Sequence, residues 1–390
     1  MSKNSTRLNS IDMLRGLVIV IMALDHVRDM LATPAPDGLD FSQAGFPLFF
    51  TRWVTHLCAP TFVLLAGVSA YLYGSKGRSQ SEVARFLVSR GIWLIIVELT
   101  IINFAWNFNI GENFFPVLQV IWVLGVSMIF LAGMLWLPRY AIFGIGITMI
   151  LGHNLLDSIQ PAAGEASSAW LLFHMRGLIS VGDTPLIYVV YPLIPWLGVM
   201  MLGYCLGPFF VSRDATLTNS KRPKNLVLAG IALCLGFVVL RALDLYGDPN
   251  PWQMQSTLSA SLIDFLNTTK YPPSLLYLLM TLGPALVLLG LFEKFEGRLG
   301  VALTNIGRVP FFFYVVHLYF IHLLALGLGL IQGFPLSEIA VIFFRYPPNF
   351  GISLAAVYLC WALIVCALYF PSLWFARLKQ RRNDWWLSYL

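Results

Sequence analysis

Charge is the scarce commodity in this chain. Only 11% of its 390 residues are charged, against about 25% in an ordinary soluble domain. Hydrophobic residues make up 58%, and the mean hydropathy is +0.75. The apolar runs recur along the whole length, which excludes a soluble enzyme carried on one anchor. Cysteine is also sparse. Cys58, Cys205, Cys234, Cys360 and Cys366 all fall in apolar segments, without a CxxC pair, so they read as small buried residues and imply no disulfide framework. There is no Walker or GxGxxG loop and no HExxH motif. No internal repeat is evident, which weakens a transporter reading. A cleavable signal is not expected, because the apolar run after Arg15 ends in charged residues and lacks a small-x-small site. The net charge of +6 resides in short loops between apolar runs, a pattern of cytoplasmic retention rather than of nucleic-acid binding.

A spanning helix needs about 20 mostly apolar residues. On that criterion the sequence holds ten spans, near 11–31, 53–74, 88–108, 116–137, 140–159, 186–210, 225–246, 273–292, 301–330 and 351–376. The expected fold class is therefore an all-α polytopic membrane protein, with residues 1–390 forming one transmembrane domain. With the N-terminus in the cytoplasm, nineteen of the 25 basic residues fall on the cytoplasmic side and six on the other. That bias places both termini inside. Prolines within 186–210 are expected to kink the sixth span, and Gly307 and Pro310 to interrupt the first turns of the ninth. The outer loops, including "WQMQSTLSASLIDFLNTTKYPPS", are long enough to cover or line an outward-facing site.

Ionisable groups inside a bilayer face a cavity or a partner. The segment "SIDMLRGLVIVIMALDHVRD" carries Asp25, His26, Arg28 and Asp29 within five positions. His26 lies fifteen residues beyond Ile11, about 22 Å along a helix and so in the outer half of the membrane. Arg52 and His56 sit four residues apart at a similar depth on the second span. His174 and Arg176 lie in an external loop, Arg241 and Asp244 end span seven, Lys270 precedes "YPPS", and His317 and His322 lie within span nine. Groups gathered at one depth on different helices line a polar chamber; taken singly, each is an ordinary helix end or a satisfied core residue. A neutral imidazole there can accept a proton from an attacking hydroxyl or amine. Convergence of His26, His56 and His317 on zinc is the competing reading, but none has ligand spacing, and no metal is expected. On the cytoplasmic side Arg15, Arg139 and Arg308, the last beside Asn305, are candidates for phosphate through the planar guanidinium fork. They serve equally as plain orientation determinants. Glu98, a lone acid at mid-membrane, is left without a role.

The motif "RLNSIDMLRG" followed by an apolar stretch and "LDH" resembles the first helix of transmembrane acyltransferases. It is similar to heparan-alpha-glucosaminide N-acetyltransferase and its bacterial relatives, and more distantly to the acyltransferase-3 O-acetyltransferases. Arg7, Ser10, Asp12, Arg15 and Gly16 carry the likeness in the first span, and Pro60, Phe62, Val63 and Gly67 of "CAPTFVLLAGVSAYL" carry it in the second. "KYPPSLLYLLMTLGP" and "GRVPFFFYVVHLYFIHLL" also look like the bacterial members, so the resemblance extends over most of the chain. What it implies is acetyl transfer across a membrane from acetyl-CoA, as co-substrate, to an extracytoplasmic sugar hydroxyl or amine. By the acyltransferase-3 pattern the catalytic role falls on His26, supported by Asp25. By the heparan pattern the histidine belongs in the loop before the second span; "PDGLDFSQAGFPLFF" has none, and His56 is the nearest replacement. Arg28, Asp29, Arg52, Arg241, Lys270 and His317 are expected at the substrate, and Arg15, Arg139, Asn305 and Arg308 at acetyl-CoA. The expected setting is the inner membrane, with lipid around the protein, no nucleic acid, and homo-oligomerisation left open. A secondary transporter or flippase of a sugar-containing substrate is the rival, using the same chamber with Glu98 or a histidine coupled to protons.

Overall fold

The computed structural model describes residues 9–33, 45–108, 111, 114–159, 161, 167–211, 218–340, 346–382 and 384–388. Arg7, which carries part of the family likeness, and most of the loop before the second span lie outside the described residues. In chain order the helices are α1 (Asn9–Leu31), α2 (Phe46–Thr55), α3 (Cys58–Gly74), α4 (Gln80–Val97), α5 (Asn103–Asn107), α6 (Val120–Met134), α7 (Arg139–Gly152) and α8 (Ser168–Phe173). They continue as α9 (Ile194–Leu206), α10 (Thr218–Leu243), α11 (Leu258–Leu266), α12 (Leu275–Phe292), α13 (Arg298–Gly307), α14 (Pro310–Ile331), α15 (Leu336–Ile339) and α16 (Leu354–Arg381). Among the described residues seven helical stretches are long and apolar enough to cross a bilayer: 46–74, 80–107, 139–158, 221–243, 275–292, 310–331 and 354–381. Two shorter apolar helices, Val120–Met134 and Ile194–Phe210, and the charged α1 lie alongside them.

Helix ends follow local chemistry. Ser79 and Glu82 form a reciprocal capping box at the start of α4, and Ser274 and Ser353 accept the Tyr277 and Ala356 amides that open α12 and α16. The expected sixth span is shorter at its outer end. Residues Thr184–Val189 form a strand, β3, antiparallel to β2 (Gly177–Val181) and parallel to β1 (Val117–Leu118). Helix α9 begins only at Ile194, because Pro192 lacks an amide and Pro195 suits a first turn. This three-stranded sheet is the departure from a purely helical expectation. The expected ninth span divides into α13 and α14, with Arg308 and Val309 between them and Pro310 opening the second helix.

Helix α1 is the axis of the packing. It contacts α2, α3, α12, α13, α14 and α16, and both its apolar and its charged residues are largely buried. Its charges therefore face protein, not hydrocarbon. The outer helices are the opposite case: the apolar stretch of α16 is only 17% buried, against 61% for α12. Asn103 links the broken third span to the sheet, because its side chain accepts the Val117 amide at 2.6 Å and donates to the Val117 carbonyl at 3.1 Å. Glu98 is buried at a π-turn, and its carboxylate accepts the Trp122 amide at 3.0 Å, capping α6.

Two motif glycines explain their presence sterically. A Cβ on Gly16 would overlap the Leu303 carbonyl, and one on Gly307 the Asp12 carbonyl, so α1 and α13 cross backbone to backbone. Gly67 and Gly203 meet in the same way, against Met200 and Leu64, where α3 crosses α9. Replacing Gly67 by alanine is expected to lower the unfolding free energy in detergent by about 1–3 kcal/mol, the usual cost of overpacking. Gly133→Ala, where nothing lies nearby, is expected to leave the thermal midpoint unchanged; equal midpoints for both variants would refute the packing role.

Candidate active site

Two chambers hold most of the ionisable candidates, and only the first is lined by α1. The first, of about 350 Å³, is lined by Arg15, Arg90, Arg308 and Lys379 together with apolar residues that include Met22, Phe62, Met128, Phe311 and Tyr314. The second, of about 280 Å³, is polar and is lined by Arg52, His56, Arg176, Asn250, Asn267, Thr268, Thr269 and Lys270. Helical periodicity connects the first chamber to His26. Arg15, Ile19 and Met22 line it at a spacing of four and three residues, and His26 is the next position on that stripe. On α14 the same holds for Phe311, Tyr314 and His317.

His26 is boxed by aromatic rings. Trp106 of α5 meets it edge-on at 4.9 Å, and Tyr314 lies at 6.0 Å between centroids. Its Nδ1 lies 2.7 Å from His317 Nε2, and His317 Nδ1 lies 2.8 Å from the Phe313 carbonyl oxygen. A carbonyl only accepts hydrogen bonds, so His317 Nδ1 carries the proton and donates it. In a neutral ring His317 Nε2 is then an acceptor, which requires His26 Nδ1 to be the donor. His26 Nε2 is left with its lone pair. These tautomers follow from the hydrogen-bond network. The arrangement is that of a base whose ring is held by a partner on its far nitrogen.

The charged groups beside His26 form a closed set. Asp25 pairs with Arg28 at 2.8 Å and accepts the Thr55 hydroxyl at 2.8 Å; Arg28 also pairs with Asp29. Arg52 and Lys270 lie close enough to act electrostatically on Asp25. His56, at the junction of α2 and α3, faces the second chamber, and neither of its ring nitrogens has a hydrogen-bond partner. Its backbone carbonyl accepts the Tyr277 hydroxyl at 3.0 Å, which fixes the turn.

At the other chamber Arg15 donates to Asp12 at 2.8 Å, to Ser69 at 3.0 Å and to the Gly307 carbonyl at 3.3 Å. Motif residues Asp12, Arg15 and Gly16 thus form one joint between α1, α3 and α13. Arg308 lines this chamber and, with Asn305, an adjoining cleft.

Other expectations are redirected by the structure. Arg139 does not line either chamber; its guanidinium lies over the Tyr71 ring at 5.9 Å. Arg241, expected at the substrate, is buried and donates to the carbonyls of Asn250, Asp264, Phe265 and Asn267 at 2.7–3.1 Å. Its donors are committed to holding the segment that supplies Asn250 and Asn267 to the second chamber. His322 lies against Phe108 and bonds to the Ala105 carbonyl. Glu98 is engaged as a helix cap. The residues that sequence reasoning passed over are Arg90, Lys379, Trp106 and Tyr314. The first two were counted only as orientation determinants, though the stripe through Phe311 and His317 does signal Tyr314. Among the described residues His153, Asp157 and His174 also cluster closely enough to share a cation.

The fold defines a helical membrane protein with an apolar, basic-lined cavity, a polar cavity, and a buried histidine pair that lines neither but continues the residue stripe of the first. The family model for the catalytic region of heparan-alpha-glucosaminide N-acetyltransferase matches residues 7–239, and the chain belongs to that family. Membership implies a membrane acetyltransferase. His317, Lys270 and Arg308 lie beyond the matched residues. No curated protein matches the chain.

The Arg241 geometry makes a stability prediction. Arg241→Met removes the guanidinium donors from four carbonyls and is expected to cost at least about 2 kcal/mol, read as a lower thermal midpoint in detergent. An unchanged midpoint would remove Arg241 from the scaffold of the second chamber.

Proposed function

We propose that the chain takes an acetyl group from cytoplasmic acetyl-CoA and delivers it to a hydroxyl or amine of an extracytoplasmic sugar, with His26 as the base. The observation that carries this reading is the position of His26 on the stripe that leaves the basic-lined cavity, with its Nε2 lone pair directed by the His317 contact. Arg15, Arg90, Arg308 and Lys379 supply positive charge for the phosphates of the donor, and the apolar walls suit its pantetheine arm and thioester. Asn305 borders the cleft next to Arg308. The polar chamber, with Arg52, His56, Arg176 and Lys270, suits a hydroxyl-rich acceptor.

The chemistry then balances in one exchange. His26 Nε2 takes the proton from the acceptor hydroxyl or amine as its oxygen or nitrogen attacks the thioester carbonyl. The carbon–sulfur bond breaks, and the thiolate leaves with the proton that His26 carries. Acetylation of His26 followed by transfer is the two-step form of the same chemistry. Asp25, held by Arg28 and Thr55, adds negative potential beside the imidazolium, and Arg28 neutralises Asp29. His317 acts through His26, as a positioning residue. The reading further takes the ten apolar or charged helices as ten crossings of the inner membrane, in one domain with both termini cytoplasmic.

The test is acetyl-CoA binding and acetyl-CoA hydrolysis or transfer by the purified protein. His26→Ala is expected to lower turnover by about 10²–10⁴-fold while leaving acetyl-CoA affinity in place. Loss confined to His56→Ala would move the base to the second chamber. A wild-type protein that neither binds nor cleaves acetyl-CoA would defeat the proposal. At the donor cavity, Arg90→Ala and Lys379→Ala are expected to raise the KM for acetyl-CoA with kcat little changed. The effect is expected to shrink as salt screens the remaining charge; a fall in kcat at constant KM would contradict the phosphate-binding role.

A further inference from the structure

His153 and Asp157 lie on the short helical extension that follows α7, and His174 closes α8. One ligand atom from each lies within 4.8 Å of the other two, and His174 Nε2 stands 3.1 Å from Asp157 Oδ1. The rings of His153 and His174 are 6.0 Å apart, inclined at 60°. Both histidines are buried, at 2% and 4% exposure. Neither nitrogen of His153 makes a well-formed hydrogen bond, although the Pro273 carbonyl faces its ring. Buried imidazole nitrogens without partners are costly unless something accepts their lone pairs.

The carboxylate is already oriented. Asn154 Nδ2 donates to Asp157 Oδ2 at 2.7 Å, and Asn154 Oδ1 accepts the Leu275 amide at 2.9 Å, so the first turn of α12 holds the set in place. Metal-ligating groups are typically held by outer hydrogen bonds of this kind. We propose that His153, Asp157 and His174 bind one divalent transition-metal ion of the zinc class, which clips the outer end of α7 to α8. Two imidazoles and a carboxylate are a borderline donor set, unlike the all-oxygen sets of calcium or magnesium. Donors about 2.1 Å from zinc in a tetrahedron stand about 3.4 Å apart, so the His174–Asp157 edge is closed and His153 moves in by about 1.4 Å at most. Arg176, two residues beyond His174, lines the polar chamber. The clip therefore holds one wall of that chamber, whatever reaction occurs there.

The test uses the full chain in detergent, stripped with a chelator, reloaded with zinc and desalted. One zinc per chain is expected by elemental analysis, with a higher thermal midpoint than the stripped protein. His174→Ala and Asp157→Asn are expected to lower retained zinc by at least about tenfold and to abolish the midpoint rise, while His26→Ala retains the ion. Cobalt in the wild-type protein provides a readout that needs no variant: an intense four-coordinate visible spectrum supports the site. No retained zinc in folded wild type, equal zinc in the His174→Ala protein, or a weak six-coordinate cobalt spectrum would each overturn it.

Discussion

A backbone carbonyl offers lone pairs and nothing else, and that limitation governs the centre of this protein. The Phe313 carbonyl accepts a hydrogen bond from His317 Nδ1, so His317 Nε2 accepts from His26 Nδ1, and His26 presents a bare Nε2. The partner of His26 is thus a neutral ring on a packed helix, not a carboxylate. Asp25 neighbours His26 in sequence but turns its carboxylate to Thr55 and Arg28. This separation lets the acid set the local potential without competing for the ring.

The rest of the architecture makes such a chain tenable in a membrane. Every charged group along α1 costs free energy in hydrocarbon, and the fold meets that cost by surrounding α1 with six other helices. Arg28 lies between two aspartates, and Arg15 joins Asp12, Ser69 and Gly307. Backbone contact at Gly16 and Gly307 brings α13 close enough for that joint, so the glycine and the arginine of the motif serve one purpose. The helices whose apolar stretches are least buried, α10 and α16, are those whose apolar surface is left for lipid.

Much of this was legible in the sequence because a membrane imposes length and hydropathy on its helices. The helical stretches fall close to the expected spans, and the interruption at Gly307–Pro310 appears where proline chemistry puts it. The gathering of Asp25, His26, Arg52, His56, Lys270 and His317 was readable from depth alone. What depth does not convey is direction. Arg241 sits at the right level yet points its guanidinium into a ring of carbonyls, and Arg139 lies over Tyr71. The sheet at β1–β3 was hidden because short strands in a loop lack a long period. The cluster of His153, Asp157 and His174 joins segments about twenty residues apart, a spacing no short motif records.

The central claim is a proton position, and nitrogen-15 spectroscopy of histidine-labelled protein in detergent or lipid reads it directly. The chain has only six histidines, so single replacements of the others assign each signal. The account predicts that His26 and His317 each carry the proton on Nδ1, with Nε2 of His26 unprotonated and coupled through a hydrogen bond from its own Nδ1 to His317. A proton on His26 Nε2 with Nδ1 bare would contradict it, because the ring would then have no lone pair on the nitrogen assigned as the base.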